Sequence, residues 1–151
     1  MVFPHDILFE MFNHLYHDYR TLFRCLLVNR EWCELAVKIL WSNPNLEHLK
    51  TIYTLLLNLN EHEREMIGPS DIIPEDAPDL MFDYRSFILT VSSDKLVEGI
   101  NNWLEHVGKN RINSSSIIIP MLLMFLREGN RLKYLYLDGV QYNRSHKCEL
   151  K

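Results

Sequence analysis

The chain has 151 residues, a net charge of -4 and 47% apolar side chains, enough for a hydrophobic core and too apolar for a disordered chain. Without a basic excess it does not fit non-specific nucleic-acid binding, and no Lys/Arg run marks a polybasic membrane anchor. Its three cysteines, Cys25, Cys33 and Cys148, fit a reducing compartment, and the acids near the N-terminus do not fit a secretory signal, so the expected setting is cytoplasmic and/or nuclear.

Pro4 suits the start of a helix, where its missing N–H would be unpaired, and Asp6 sits near the positive end of the helix dipole. Ile7, Leu8, Met11, Phe12 and Leu15 follow at helical spacing, and Tyr16 to Tyr19 reads as a turn. A second stripe, Leu22, Phe23, Cys25, Leu26, Leu27 and Val28, is apolar almost all round and predicts the most buried helix of the group. Asn29 is placed to cap a third helix carrying Trp32, Leu35, Ala36, Ile39 and Leu40, which Asn43-Pro44 stops. Three helices this short hold more apolar surface than they can hide among themselves. The surplus implies a partner.

These residues resemble the F-box. The family pattern opens with Leu-Pro, an acidic residue and Ile-Leu; here Phe3-Pro4-His5-Asp6-Ile7-Leu8 stands in its place, with Phe3 for Leu and Asp6 where Glu is common. Val28-Asn29-Arg30-Glu31-Trp32 and Leu40-Trp41 complete the match, in a form similar to fungal F-box proteins, over residues 1–45. The resemblance implies a non-catalytic substrate receptor of a Skp-cullin-F-box ubiquitin ligase. Such a subunit binds the Skp adaptor, and through it cullin, and its C-terminal region presents a protein target for ubiquitin-dependent degradation. The adaptor-binding residues it implies are Phe3, Pro4, Ile7, Leu8, Phe12, Leu22, Cys25, Val28, Asn29 and Trp32. Trp32 is expected where core meets interface. Which of the ten turn inward is not separable from sequence.

Residues 46–130 read as a helical linker region. Leu49, Ile52, Tyr53, Leu56 and Leu59 share one face, and a polar turn is expected from Asn60 to Gly68. A flexible acidic and Pro-containing loop is expected near 69–80, exposed from Ile72 to Asp79. Phe82 to Val91 is a short helix or an extended piece, and Ser92-Ser93-Asp94 then caps a helix bearing Leu96, Val97, Ile100, Trp103, Leu104 and Val107, with Trp103 expected in the core. Ile117 to Glu128 predicts a buried helix with Pro120 in its first turn; its ten-residue apolar run is far short of the roughly twenty residues a bilayer requires. Residues 131–151 read as a partial repeat and a polar tail, because Leu132-x-x-Leu135-x-Leu137 matches the strand of a leucine-rich repeat. With one copy, that strand would leave an unpaired edge.

The fold expected is therefore mainly α: a three-helix F-box, a helical second half and one short leucine-rich-repeat-like strand, an incipient α/β solenoid. No cofactor or metal is expected, since His14-x-x-His17 and His146-x-Cys148 lack a full set of convergent ligands. The alternatives are a helical interaction scaffold without ligase function, or a shortened F-box protein that binds no target. An enzyme built around His14, His17 and Asp18 is the third choice.

Overall fold

The Pro4 carbonyl accepts from the N–H groups of Ile7 and Leu8 at 3.0 and 3.2 Å, starting helix α1, His5–His14. The computed structural model describes residues 4–68, 72–74, 76–127, 131–137 and 140–143, and the chain divides into two units, residues 1–44 and 45–151. Among the described residues there are seven α-helices and one three-stranded sheet, so the fold is mainly α with short strands.

In the first unit, α1 is followed by α2, Tyr19–Cys25, and α3, Arg30–Leu40. Asp18 caps α2, its carboxylate accepting from the Thr21 N–H at 3.0 Å and the Thr21 hydroxyl at 2.7 Å. Asn29 caps α3, as its position predicts: its side-chain oxygen accepts from the Trp32 N–H at 2.9 Å. Leu8, Phe12, Leu22, Cys25, Leu35, Ala36 and Ile39 form the core, with Leu15, Tyr16, Leu26, Trp32 and Leu40 packed around it. The expectation that α2 would be the most buried helix fails. It ends at Cys25, and the turn that follows carries Leu27 and Val28 outward, so a continuous apolar run wraps a helix too short to be enclosed.

The second unit opens with α4, Leu49–Leu57, which buries Ile52, Leu55 and Leu56. The polar turn expected after it is instead helix α5, Glu61–Ile67. Asn60 and Glu63 form a capping box, the Asn60 oxygen accepting from the Glu63 N–H at 2.8 Å and the Glu63 carboxylate from the Asn60 N–H at 2.9 Å. Gly68 ends the helix at φ 84, a conformation that suits a residue without Cβ. Beyond it Ile72 is buried rather than exposed, while Asp71 and Glu75 of the expected acidic loop lie outside the described residues.

A 3-10 turn, Tyr84–Phe87, leads into strand β1, Thr90–Ser92. Helix α6, Ser93–His106, then buries Leu96, Ile100 and Leu104 and stops before Gly108 at φ 70. Trp103 is only half-buried and stacks on Tyr53 of α4, with ring centroids 5.2 Å apart. Helix α7, Ser115–Leu126, begins two residues earlier than its apolar run, which moves Pro120 past the first turn into the helix interior. There the ring lacks the N–H that a helix would direct to the carbonyl four residues back.

Strand β2, Tyr134–Leu137, pairs in parallel with β1, and β3, Val140–Asn143, pairs antiparallel with β2. The strand read from Leu132 to Leu137 is thus the middle of the sheet, and the open edge expected for it is corrected. Its β1 partner, short and remote in sequence, leaves little local signal. The edge on which a further parallel strand would pair with β2 carries β3 instead.

A surface in the first unit left apolar by folding

Helix α1 divides its apolar stripe between two faces. Leu8 and Phe12, four apart, enter the core at 2% exposure each, whereas Ile7 and Met11, four apart on the neighbouring line, stand about half exposed. On α2 and the turn after it the division repeats. Leu22 and Cys25 are buried, and Tyr19, Phe23, Leu27 and Val28 are exposed, Leu27 at 78% and Phe23 at 61%. Three short helices have one small interior to share, so a sequence with this many large side chains leaves the remainder outside.

The ten residues singled out from sequence therefore fall into distinct groups. Leu8, Phe12, Leu22 and Cys25 belong to the core, and their side chains are not presented to a partner in this conformation. Pro4, Ile7, Val28 and Asn29 are exposed. Trp32 is half-buried and sets its ring edge-on to Phe12, with centroids 5.1 Å apart and planes at 79°, so one ring touches both the core and the outside. Phe3 lies outside the described residues. Sequence reasoning missed Phe23 and Leu27 as outward-facing residues. The available signal was their place near and just beyond the end of a seven-residue helix, where there is too little length to enclose them.

Asn29 has a structural role within this surface. Its cap fixes the start of α3, directly after the exposed Val28. Arg30 and Glu34, one turn apart on α3, form an exposed ion pair at 3.0 Å that adds little stability.

The chemistry at hand is that of contact rather than reaction. Burial, followed by the charge of Asp18, pushes the Cys25 thiol above its usual value, so this cysteine is a poor source of thiolate. Cys25 and Cys33 are both free. Among the described residues no group of three or more His, Cys, Asp or Glu side chains converges to hold a metal, and His14 and His17 are exposed; His146 and Cys148 lie outside those residues. No helix among the described residues is long and apolar enough to cross a membrane.

Compared with known families, residues 3–47 match the F-box-like family model. These residues form an F-box-like domain, as the motifs from Pro4 to Trp41 imply. No curated protein and no solved structure in the comparisons matches the chain.

Proposed function

We propose that the first unit docks onto a Skp-type adaptor and that the chain serves as a receptor subunit of a cullin-RING ubiquitin ligase. The observation that carries this reading is the coincidence of an F-box-like match at residues 3–47 with exposed apolar side chains in the same segment, Ile7, Met11, Phe23, Leu27 and Val28 among them. F-box domains generally bind Skp adaptors, and large apolar side chains left exposed in such a domain are what a permanent partner covers.

The contact set consists of Pro4, Ile7, Met11, Tyr19, Phe23, Leu27, Val28 and the exposed part of Trp32. Leu8, Phe12, Leu22 and Cys25 act behind it, as the packed layer that holds these side chains in place. Phe3 completes the Phe-Pro opening of the motif and joins the contact set on the resemblance alone. The role is non-catalytic. A target held by residues 45–151 stays at high effective concentration beside a ubiquitin-loaded enzyme supplied by other subunits, and tethering accelerates transfer without any chemistry in this chain. The working compartment is the cytoplasm or nucleus, in keeping with free cysteines at 25 and 33.

Pull-down of the chain by a purified Skp adaptor tests the proposal. The intact chain should be retained, and Phe23→Asp with Leu27→Asp should lose retention while its circular dichroism stays helical. If the charged double variant is retained as well as the intact chain, the assigned surface is wrong.

A further inference from the structure

The second unit holds a cavity of about 400 Å³ lined, among the described residues, by the end of α4, helix α5 and residues 68, 72–74 and 77–80. Ile67 and Ile73 give it aliphatic side chains over the buried Ile72, and Pro74 and Pro78 add backbone of fixed φ. Two charged residues line the same space, Arg64 and Asp79. The Arg64 guanidinium is held in place: its Nε donates to the Leu59 carbonyl and its Nη2 to the Leu57 carbonyl, each at 3.0 Å. Both acceptors are neutral, and among the described residues Arg64 forms no ion pair. A guanidinium has five N–H donors, so this one is oriented by two bonds with donors to spare. Asp79 likewise forms no ion pair among the described residues.

This volume lies near the low end for ligand sites and suits one apolar side chain with its adjoining main chain, not a docking helix. The oriented guanidinium selects a planar anion, which a carboxylate matches best. The Asp79 carboxylate disfavours a run of acids and accepts a hydrogen bond from an N–H. The last residue of a polypeptide carries an aliphatic side chain, a carboxylate and an amide N–H on one Cα, and so meets all three demands. We propose that this cavity binds the C-terminal residue of a partner polypeptide, with the side chain against the isoleucines, the carboxylate on Arg64 and the N–H on Asp79. The proposal rests on the receptor reading above in giving residues 45–151 the target, but binding is a property of the second unit and is measured without adaptor.

The test is an NMR titration of the full isotope-labelled chain with three peptides: acetyl-Gly-Ser-Gly-Leu as the free acid, the same peptide as its C-terminal amide, and acetyl-Gly-Ser-Glu-Leu amide. The free acid should shift the amide signals of Ile72, Ile73 and Ala77 saturably, and both amides should bind at least about tenfold more weakly, since a charge-assisted hydrogen bond is lost. Arg64→Lys, which keeps the charge and loses the fork, should weaken the free acid by a similar factor and leave the amides unchanged. Ala77→Trp should block binding in a chain that keeps its helical circular dichroism. Equal affinity for acid and amide, preferential binding of the Glu-containing amide, or no shift from any peptide would each overturn the proposal. A chain that binds the free acid but fails to bind the Skp adaptor would uphold this site and remove the receptor reading.

Discussion

At the scale of the residue, the informative contrast lies between neighbours on one helix. Leu8 and Ile7 are both aliphatic and both fit the stripe read from sequence, yet one is at 2% exposure and the other at 50%. Periodicity reveals that a helix has an apolar side; it does not say where that side crosses from core to outside. The structure separates them, and the consequences differ. Phe12→Ala should lower stability by about 3-5 kcal/mol in chemical denaturation, as a buried aromatic leaves a cavity. Ile7→Ala should change stability little and reduce adaptor binding instead. The Asn29 cap is more legible, because an Asn before an apolar run carries its own mechanism, whereas Asp18 reads as part of a turn and Ser92, expected to cap α6, makes no side-chain capping bond. Asn29→Ala should cost about 1 kcal/mol.

Asp18 adds a pH dependence with a definite sign. Hydrogen bonds from the Thr21 side chain and then its backbone hold the carboxyl below its ordinary value. Since the folded value is the lower one, the stability this cap contributes is full above the ordinary carboxylate range and is lost as pH falls through the lowered value. Melting temperature should therefore fall on the acid side for the intact chain, and Asp18→Asn should flatten part of that slope. Cys25 runs the other way: its raised thiol value makes stability decline as pH climbs from the usual thiol range toward the raised one.

At the scale of the element, the sequence conceals what is polar or short. Glu61 to Glu65 contains no apolar residue, so α5 shows no helical stripe, although Asn60 and Glu63 carry the capping box that starts it. The same Glu63 is 3% exposed and holds Arg127, beyond the end of α7, through bonds of 3.0 and 2.5 Å. One carboxylate thus closes a helix start and joins two helices distant in sequence. Glu63→Ala removes the box and leaves Arg127 without its buried partner, and should cost about 3 kcal/mol or more by thermal or urea unfolding. Gly99 is a second such junction, where an added methyl would overlap the Leu46 carbonyl oxygen and press on the Ile52 side chain. Gly99→Ala should therefore destabilise the second unit by about 1-3 kcal/mol. Neither role is visible in a stripe of hydrophobic residues, because each depends on a contact made only after the chain has folded.

The whole molecule shows the same division. The first unit was legible in its three helices, the Asn29 cap and its family motif, since F-box residues occur in a fixed local order. The sheet was half legible: Leu132 to Leu137 announced a strand, while β1 and β3 depend on pairing with it and have three or four residues each. The target recognition proposed for residues 45–151 has no motif to read and rests only on geometry, a cavity lined by the oriented Arg64 guanidinium. The docking proposed for the first unit and the target holding proposed for the second are separate, so substitutions in one should leave the other's binding intact.

The most direct measurement is a calorimetric titration of the purified chain with a purified Skp adaptor at several temperatures. One-to-one binding is expected, with a negative heat-capacity change from buried apolar surface, lost in the Phe23→Asp, Leu27→Asp double variant and retained in Arg64→Lys. A folded chain that shows no saturable binding at any temperature would contradict it.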